Sequence, residues 1–355
     1  MYIHLARFQR NEKEIFMEKL IVDIIIPVYR PNKTFRLLLR KLQEQTFVVH
    51  KVIIANTEKR YWEEFIGRRE GAASLENLPF ELEVFHVEKK DFDHGGTRRL
   101  AVERSRAEYF ICMTQDAVPA DKHLVEQLIK PFCEGQAPGS GTAGNCQGGV
   151  AASYARQLPG PDCNPVEVYT RSFNYPAKDR LQSKEDLDRL GIKTFFCSDV
   201  CAAYRRDIWD ALGGFEEHTI FNEDMIYAGH AVLAGYGIAY AAGAQVIHSH
   251  NYTGRQQYHR NFDLAVSQQQ HPEVFYVVKS ESEGIRMVKN TAKYLLTSGK
   301  PWLIMNLVWQ SAFKYLGYRA GRNYERMKKR KILKATMNPE YWHSLWQRTE
   351  AQEKL

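Results

Sequence analysis

The pattern of hydrophobic and polar positions changes character near residue 115. Ile21 to Val28 (IVDIIIPV) is an almost unbroken β-branched run, as expected for a strand covered on both faces of a parallel sheet. A breaker cluster from Pro27 to Asn32 closes it, and Phe35 to Gln45 follows with leucines at helical spacing. Val52 to Ala55 and Leu82 to Val87 predict further buried strands. Thr97 to Arg106 has helical spacing, and Glu108 to Thr114 is a fourth strand-length apolar run. Strand alternating with helix predicts an α/β fold with a parallel sheet and right-handed crossovers.

Regularity is lower beyond this point. Strands are predicted at Val150 to Ala155, Phe195 to Tyr204 and Ile238 to Ile247. A charged surface helix is expected over Lys178 to Leu190, a short helix from Arg205 to Leu212 stopped by Gly213-Gly214, and a helix over Glu223 to Ala234. The glycine-rich stretch 138–149 (PGSGTAGNCQGG) reads as a loop of the kind that closes over substrate. From about Gly284 two apolar-faced helices are expected, Gly284 to Leu296 and Pro301 to Tyr318.

Charge sharpens that division. Between Arg286 and Lys334 thirteen Lys or Arg face a single acid, Glu325, so this segment carries +12 of a net +7 and leaves −5 on the remainder. The expected organisation is an N-terminal extension over 1–20, a main domain over 21–280 and a basic helical tail over 281–355. Basic residues mixed with Trp302, Trp309 and Tyr315 suit a helix lying in the interface of an anionic membrane. The competing reading is a hairpin packed on the body or on a second copy of the chain. The tail's aromatics alternate with aliphatics instead of lining a polar groove, which speaks against a nucleic-acid partner. No uninterrupted apolar run reaches ~18 residues and no signal-type apolar region opens the chain, so a cytoplasmic protein is expected. The six cysteines lack metal-site spacing and read as reduced core thiols.

The candidate chemistry gathers at the predicted strand ends, where open α/β sheets bind ligands. In DFDHGGTRR (91–99), Gly95 and Gly96 permit a tight turn and close approach to a ligand, with Asp93, His94 and Arg98 alongside. Asp116 stands where the fourth strand emerges, and Glu223-Asp224 opens a helix.

Four stretches, VDIIIPVYRP (22–31), FDHGGTRR with ICMTQDAVP (92–99, 111–119), LGGFEEHTIFNEDMIYAGHAVLAGY (212–236) and HSHNYT (248–253), together resemble inverting glycosyltransferases of family 2 with the GT-A fold. The DFDHGGTR and TQDA signatures are most similar to bacterial rhamnosyltransferases that use dTDP-L-rhamnose. The resemblance implies a nucleotide-sugar-binding sheet, and Asp224 as catalytic base with Glu223 orienting the acceptor or the helix end. It implies donor contacts from Pro27, Tyr29, Arg30, Asn56, Asp93, His94, Gly96, Arg98, Gln115 and Asp116. Asp199 and His248 would line the sugar or acceptor pocket. Asp116 with His250 would hold a divalent cation, Mg²⁺ or Mn²⁺, although Gln115 replaces the first acid of the family's metal motif. The implied partners are a dTDP-sugar and a lipid-linked glycan at the inner face of the membrane, with a homodimer an option. A UDP-hexose or UDP-N-acetylhexosamine donor, or a non-catalytic membrane-docked assembly subunit, are the alternatives.

Overall fold

The computed structural model describes residues 20–134, 148–277 and 281–352. Most of the expected N-terminal extension and of the 138–149 loop lies outside the described residues. Nine strands form one sheet among those residues: β1 (Val22–Tyr29), β2 (Lys51–Thr57), β3 (Glu81–Val87), β4 (Tyr109–Met113), β5 (Val118–Pro119), β6 (Val150–Leu158), β7 (Arg180–Gln182), β8 (Cys201–Arg205) and β9 (Gly237–Ile247). Their order is β3-β2-β1-β4-β8-β6-β9-β5, with β7 added on β9. β1 runs parallel to both β2 and β4, and β2 parallel to β3, as the alternation predicted. β8 then enters antiparallel between β4 and β6. Val22, Ile24, Ile25 and Ile26 are fully buried, which explains why β1 reads as a continuous apolar run.

Ten helices carry the argument: α1 (Lys33–Gln43), α2 (His94–Val102), α3 (Leu124–Glu134), α4 (Pro165–Asn174), α5 (Glu223–Leu233), α6 (Gly254–Gln270), α7 (Glu281–Thr297), α8 (Leu303–Gly321), α9 (Lys329–Ala335) and α10 (Pro339–Gln352). Two segments depart from expectation. The helix expected over Lys178 to Leu190 is confined to its second half, a 3₁₀ turn at Lys184–Asp186 and a helical turn at Leu187–Leu190. Arg180–Gln182 instead pairs with β9, and the buried Gln182 amide donates to the carbonyls of Lys193, Thr194 and Phe196. A long-range side chain thus overrides a locally helical charge pattern at its start. α4 begins at Pro165, with Asn164 as N-cap and the proline in the first turn. The strand expected over Phe195 to Tyr204 is confined to β8, because 191–195 winds into a 3₁₀ turn.

The tail folds back onto the body. α6 and α8 run side by side in parallel, and only glycine fits at their contact. A Cβ on Gly317 would stand 2.1 Å from the Tyr258 carbonyl oxygen, and one on Gly321 2.3 Å from that of Phe262. Ile220, Phe262 and Val266 share one apolar cluster with Ile332, Tyr341 and Trp342. Asp263 of α6 accepts from Thr336 Oγ1 at 2.6 Å and from the Met337 amide at 2.8 Å. The far side of α8 stays in solvent, with Trp302, Met305 and Trp309 at 69%, 76% and 62% exposure.

Candidate active site

β1 and β4 deliver their carboxyl ends to one crevice. Pro27 remains inside β1, and Tyr29 ends it. Gln115 ties these ends together: the Tyr29 amide donates to its Oε1 at 2.9 Å, and its Nε2 donates to the Tyr29 carbonyl at 3.0 Å. Both ends of the amide are occupied, so Gln115 fixes the strand ends instead of offering a ligand atom. Arg30 adopts φ +53°, donates to Tyr61 Oη at 2.7 Å and lies 4.7 Å from that ring's centroid. Tyr29 meets Tyr61 edge-on at 5.3 Å, forming an exposed aromatic ledge. Asn56 is buried at the end of β2, its Nδ2 3.1 Å from the Glu58 carbonyl and from His86 Nδ1, and its Oδ1 without a partner.

The glycine motif behaves differently from expectation. α2 starts at His94, so Gly95 and Gly96 lie in its first turn, and Asp93 is the N-cap, accepting from the Gly96 amide at 2.6 Å. The close approach is internal: a Cβ on Gly95 would stand 1.9 Å from the Glu216 carbonyl oxygen, and one on Gly96 2.7 Å from the Asp93 carboxylate. His218 lies 3.6 Å from the other oxygen of Asp93. The His94 ring stacks edge-on to Phe92 and Phe221, and burial lowers its pKa.

Arg98, expected at the donor, is instead the hub of a buried acid cluster. Its Nε is 3.1 Å from Asp199 Oδ2 and its Nη1 2.9 Å from Glu223 Oε1, and all three residues are under 7% exposed. The Asp199 contact lacks hydrogen-bond alignment, so it is an ion pair only. Asp199 also accepts from Tyr204 Oη at 2.5 Å. Burial pushes the Asp199 carboxyl up to about 7 against the pull of Arg98. Glu223 is buried too, but Arg98 holds it below the usual carboxylate range. Asp224 is the half-buried member, at the opening. The Asp199 amide donates to its Oδ2 at 2.9 Å and the Met225 amide to its Oδ1 at 2.7 Å. Burial and the Glu223 and Asp199 charges raise its pKa well above normal. Asn222, just before, sits at φ +65°, which aims the acid pair from the start of α5.

A second cluster forms around Asp116. Asp116, His248 and His250 each offer one atom within 4.8 Å of the others, with His250 Nε2 3.4 Å and His248 Nε2 3.6 Å from the Asp116 carboxylate. His248, expected to line the sugar or acceptor pocket, thus stands beside Asp116. Gln157 explains its orientation. Arg171, a pure donor, bonds Gln157 Oε1, so that oxygen must also receive the proton of His248 Nδ1, 3.1 Å away. The Gln157 Nε2 donates to Tyr175 Oη and Ser198 Oγ at 2.6 and 3.0 Å. His248 thus presents an unprotonated Nε2 to Asp116, and burial lowers its pKa to about 3. Two imidazoles and a carboxylate within reach of one point, one of them oriented by a second shell, fit a divalent cation. Sequence reading missed Gln157, Arg171, Arg260 and Lys314, which come from β6, α4, α6 and α8. Nothing local marks them, since each is a polar residue in an ordinary strand or helix.

With this geometry the chain can be set beside known proteins. Residues 23–213 match glycosyl transferase family 2. The O-antigen chain rhamnosyltransferase RfbN of Salmonella typhimurium is 34% identical over 91% of this chain and 96% of its own. WbaN of Salmonella anatum, another O-antigen chain rhamnosyltransferase, is 37% identical over 74% of this chain and 79% of its own. The fold resembles that of a mannosyltransferase from Pyrobaculum calidifontis solved with GDP-Man and Mn²⁺, at TM-score 0.56 and 13% identity, covering 91% of this chain and 95% of that one. The sheet is thus of the GT-A type, and the chain belongs to glycosyl transferase family 2, as a glycosyltransferase related to the O-antigen rhamnosyltransferases.

Proposed function

We propose that the chain transfers L-rhamnose from dTDP-L-rhamnose, with inversion, to a lipid-linked glycan in cell-surface polysaccharide synthesis, using Asp224 as base. Membership of the family implies a nucleotide-sugar donor, and the two O-antigen relatives support rhamnose. The observation that carries the mechanism is Asp224, held at a buried acid cluster by two backbone amides, together with Asp116, His248 and His250, which Gln157 links to Ser198 beside that cluster. Inversion needs a base on the face of the sugar opposite the leaving group. Asp224 takes the proton of the acceptor hydroxyl as its oxygen attacks the anomeric carbon and the bond to the nucleoside diphosphate breaks. Two backbone amides hold its carboxylate oxygens in place. Glu223 and Asp199, gripped by Arg98, fix the start of α5 and the peptide that binds Asp224. Asp116, His248 and His250 would hold a divalent cation, which supplies positive charge to the departing diphosphate; the nitrogen-rich ligand set favours Mn²⁺ over Mg²⁺. Gln115 keeps the ends of β1 and β4 together, with Tyr29, Arg30 and Asn56 as the nucleotide-side surface.

The test is transfer by the purified chain from dTDP-L-rhamnose, UDP-glucose and UDP-N-acetylglucosamine to lipid-linked acceptors, with Asp224→Asn as control. Transfer from the dTDP sugar alone, lost in the variant, is expected. Transfer only from UDP sugars would replace the donor, and no transfer by either protein would leave a non-catalytic assembly subunit.

The tail favours work at a membrane surface. No helix among the described residues is long and apolar enough to cross a membrane. α8 nevertheless exposes Trp302, Met305 and Trp309 beside the basic stretch 322–334, which suits the interface of an anionic leaflet over a symmetric apolar dimer contact.

A further inference from the structure

Arg260 neighbours both clusters, and the mechanism above does not use it. Its guanidinium carbon lies 4.6 Å from the Phe221 ring centroid and 5.7 Å from that of Tyr252. Phe221 directly precedes Asn222-Glu223-Asp224, and Tyr252 packs 5.0 Å from His250. Its charge is felt by His94 and Glu223 on one side and by His248 and His250 on the other. Among the described residues, however, it makes no hydrogen bond and no ion pair. A guanidinium positioned by aromatic rings with its N–H donors unspent is prepared for an oxyanion.

A second cation comes from the tail. α8 is seated on α6 by Gly317 against Tyr258 and by Phe313 against Gly254, which places Lys314 on the packed side of α8. Lys314 is half-buried, makes no hydrogen bond or ion pair among the described residues, and has Glu167, Arg260 and Arg171 as its charged neighbours. Arg171 is already committed to Glu167, 2.7 Å away, and to Gln157. Glu167 is thereby shared, and the acids that feel Arg260, Glu223 and Asp263, are held by Arg98 and by Thr336 with the Met337 amide, so neither Arg260 nor Lys314 has an acid of its own. Partly desolvated cations left unpaired are costly, and a bound anion removes that cost.

We infer that Arg260 and Lys314 form a diphosphate-binding site beside Asp116, His248 and His250, with the tail helix supplying Lys314. This rests on the proposed reading of the crevice and gives the tail a part in substrate binding. It assigns to Arg260 the phosphate contact that the sequence suggested for Arg98. The diphosphate belongs either to the nucleotide sugar or to the lipid-linked acceptor.

The experiment titrates inorganic pyrophosphate into the full chain in EDTA by calorimetry, for wild type, Arg260→Gln, Lys314→Gln and Arg260→Lys. Each Gln variant should weaken binding about tenfold while melting normally, with Arg260→Lys in between, as expected for loss of a charged hydrogen bond. Steady-state kinetics then separates the sources: a KM rise confined to the nucleotide sugar marks the donor, and one confined to the acceptor marks the lipid diphosphate. Should Arg260→Gln fail to fold, Lys314→Gln reads the same loss. Wild-type chain that binds no pyrophosphate, or variants that bind it as wild type does with unchanged KM values, would overturn the inference. Because the titration needs no turnover, a chain that binds pyrophosphate through these residues yet transfers no rhamnose refutes the proposed reaction and leaves the site standing.

Discussion

Replacing Arg98 with Met distinguishes a structural hub from a phosphate ligand. The substitution keeps much of the side chain's apolar stem but removes the cation shared by Asp199 and Glu223, which are 2% and 6% exposed. Breaking a buried ion pair from one side typically costs about 3–5 kcal/mol, because the remaining charge is stranded. At roughly 2 °C per kcal/mol for a large chain, the melting temperature should fall by about 5–10 °C. The loss should depend on pH. Without the guanidinium, burial holds both carboxyls protonated, so their folded pKa values stand above the unfolded ones. Stability of that kind is present below the unfolded pKa and disappears as pH rises through the folded value. The deficit against wild type should therefore be smallest near pH 5 and grow toward pH 8, and Arg98→Lys should recover part of it. Thermal unfolding of the three proteins across that range is the assay. An Arg98→Met protein that melts like wild type at pH 8 and shows only a weaker donor KM would refute the hub and restore the phosphate contact.

Other consequences follow from the tail and the crevice. Gly317→Val drives side-chain atoms into the Tyr258 carbonyl, so it should destabilise by more than about 1 kcal/mol and expose α8 to limited proteolysis; a wild-type digestion pattern would contradict the α6–α8 contact. Burial pushes Asp263 up to about 7, so its contribution is full below the unfolded value near ~3.9 and is lost as pH rises through about 7. Urea unfolding should show Asp263→Asn losing less stability than wild type between pH 5 and pH 8. Met305→Glu with Trp309→Glu places charge on the exposed face of α8 and should cut sedimentation with anionic vesicles while leaving the melting temperature unchanged; undiminished vesicle binding would remove the membrane reading. Asp116→Ala and His250→Ala should each abolish Mn²⁺-dependent stabilisation by dTDP in a thermal-shift assay, and a retained shift would place the cation elsewhere.

Local chemistry made the first half of the fold readable. A strand buried on both faces must be apolar along its whole length, so β1, β2 and β4 announce themselves, and their parallel pairing follows from the helices between them. The same holds for the start of α5, where two acids follow a glycine-rich turn, and for the family to which those motifs belong. Helices were expected in the tail too, and Glu281–Thr297 and Leu303–Gly321 form there.

Partnerships across the chain were decided only by the tertiary structure. DFDHGGTR shows a glycine pair and an arginine, but only packing reveals that Gly95 faces Glu216 and that Arg98 is consumed by Asp199 and Glu223. Gln157 cannot be seen to orient His248 from its own neighbourhood, because the two are 91 positions apart and meet only where β6 pairs with β9. Likewise, the sequence leaves the basic tail between a membrane-lying helix and a packed hairpin until α8 packs on α6 and turns Lys314 inward. Periodicity and turn chemistry act over a few residues and are written into the sequence. Desolvation and charge pairing depend on what the rest of the chain brings to each group, and they exist only once the chain has folded.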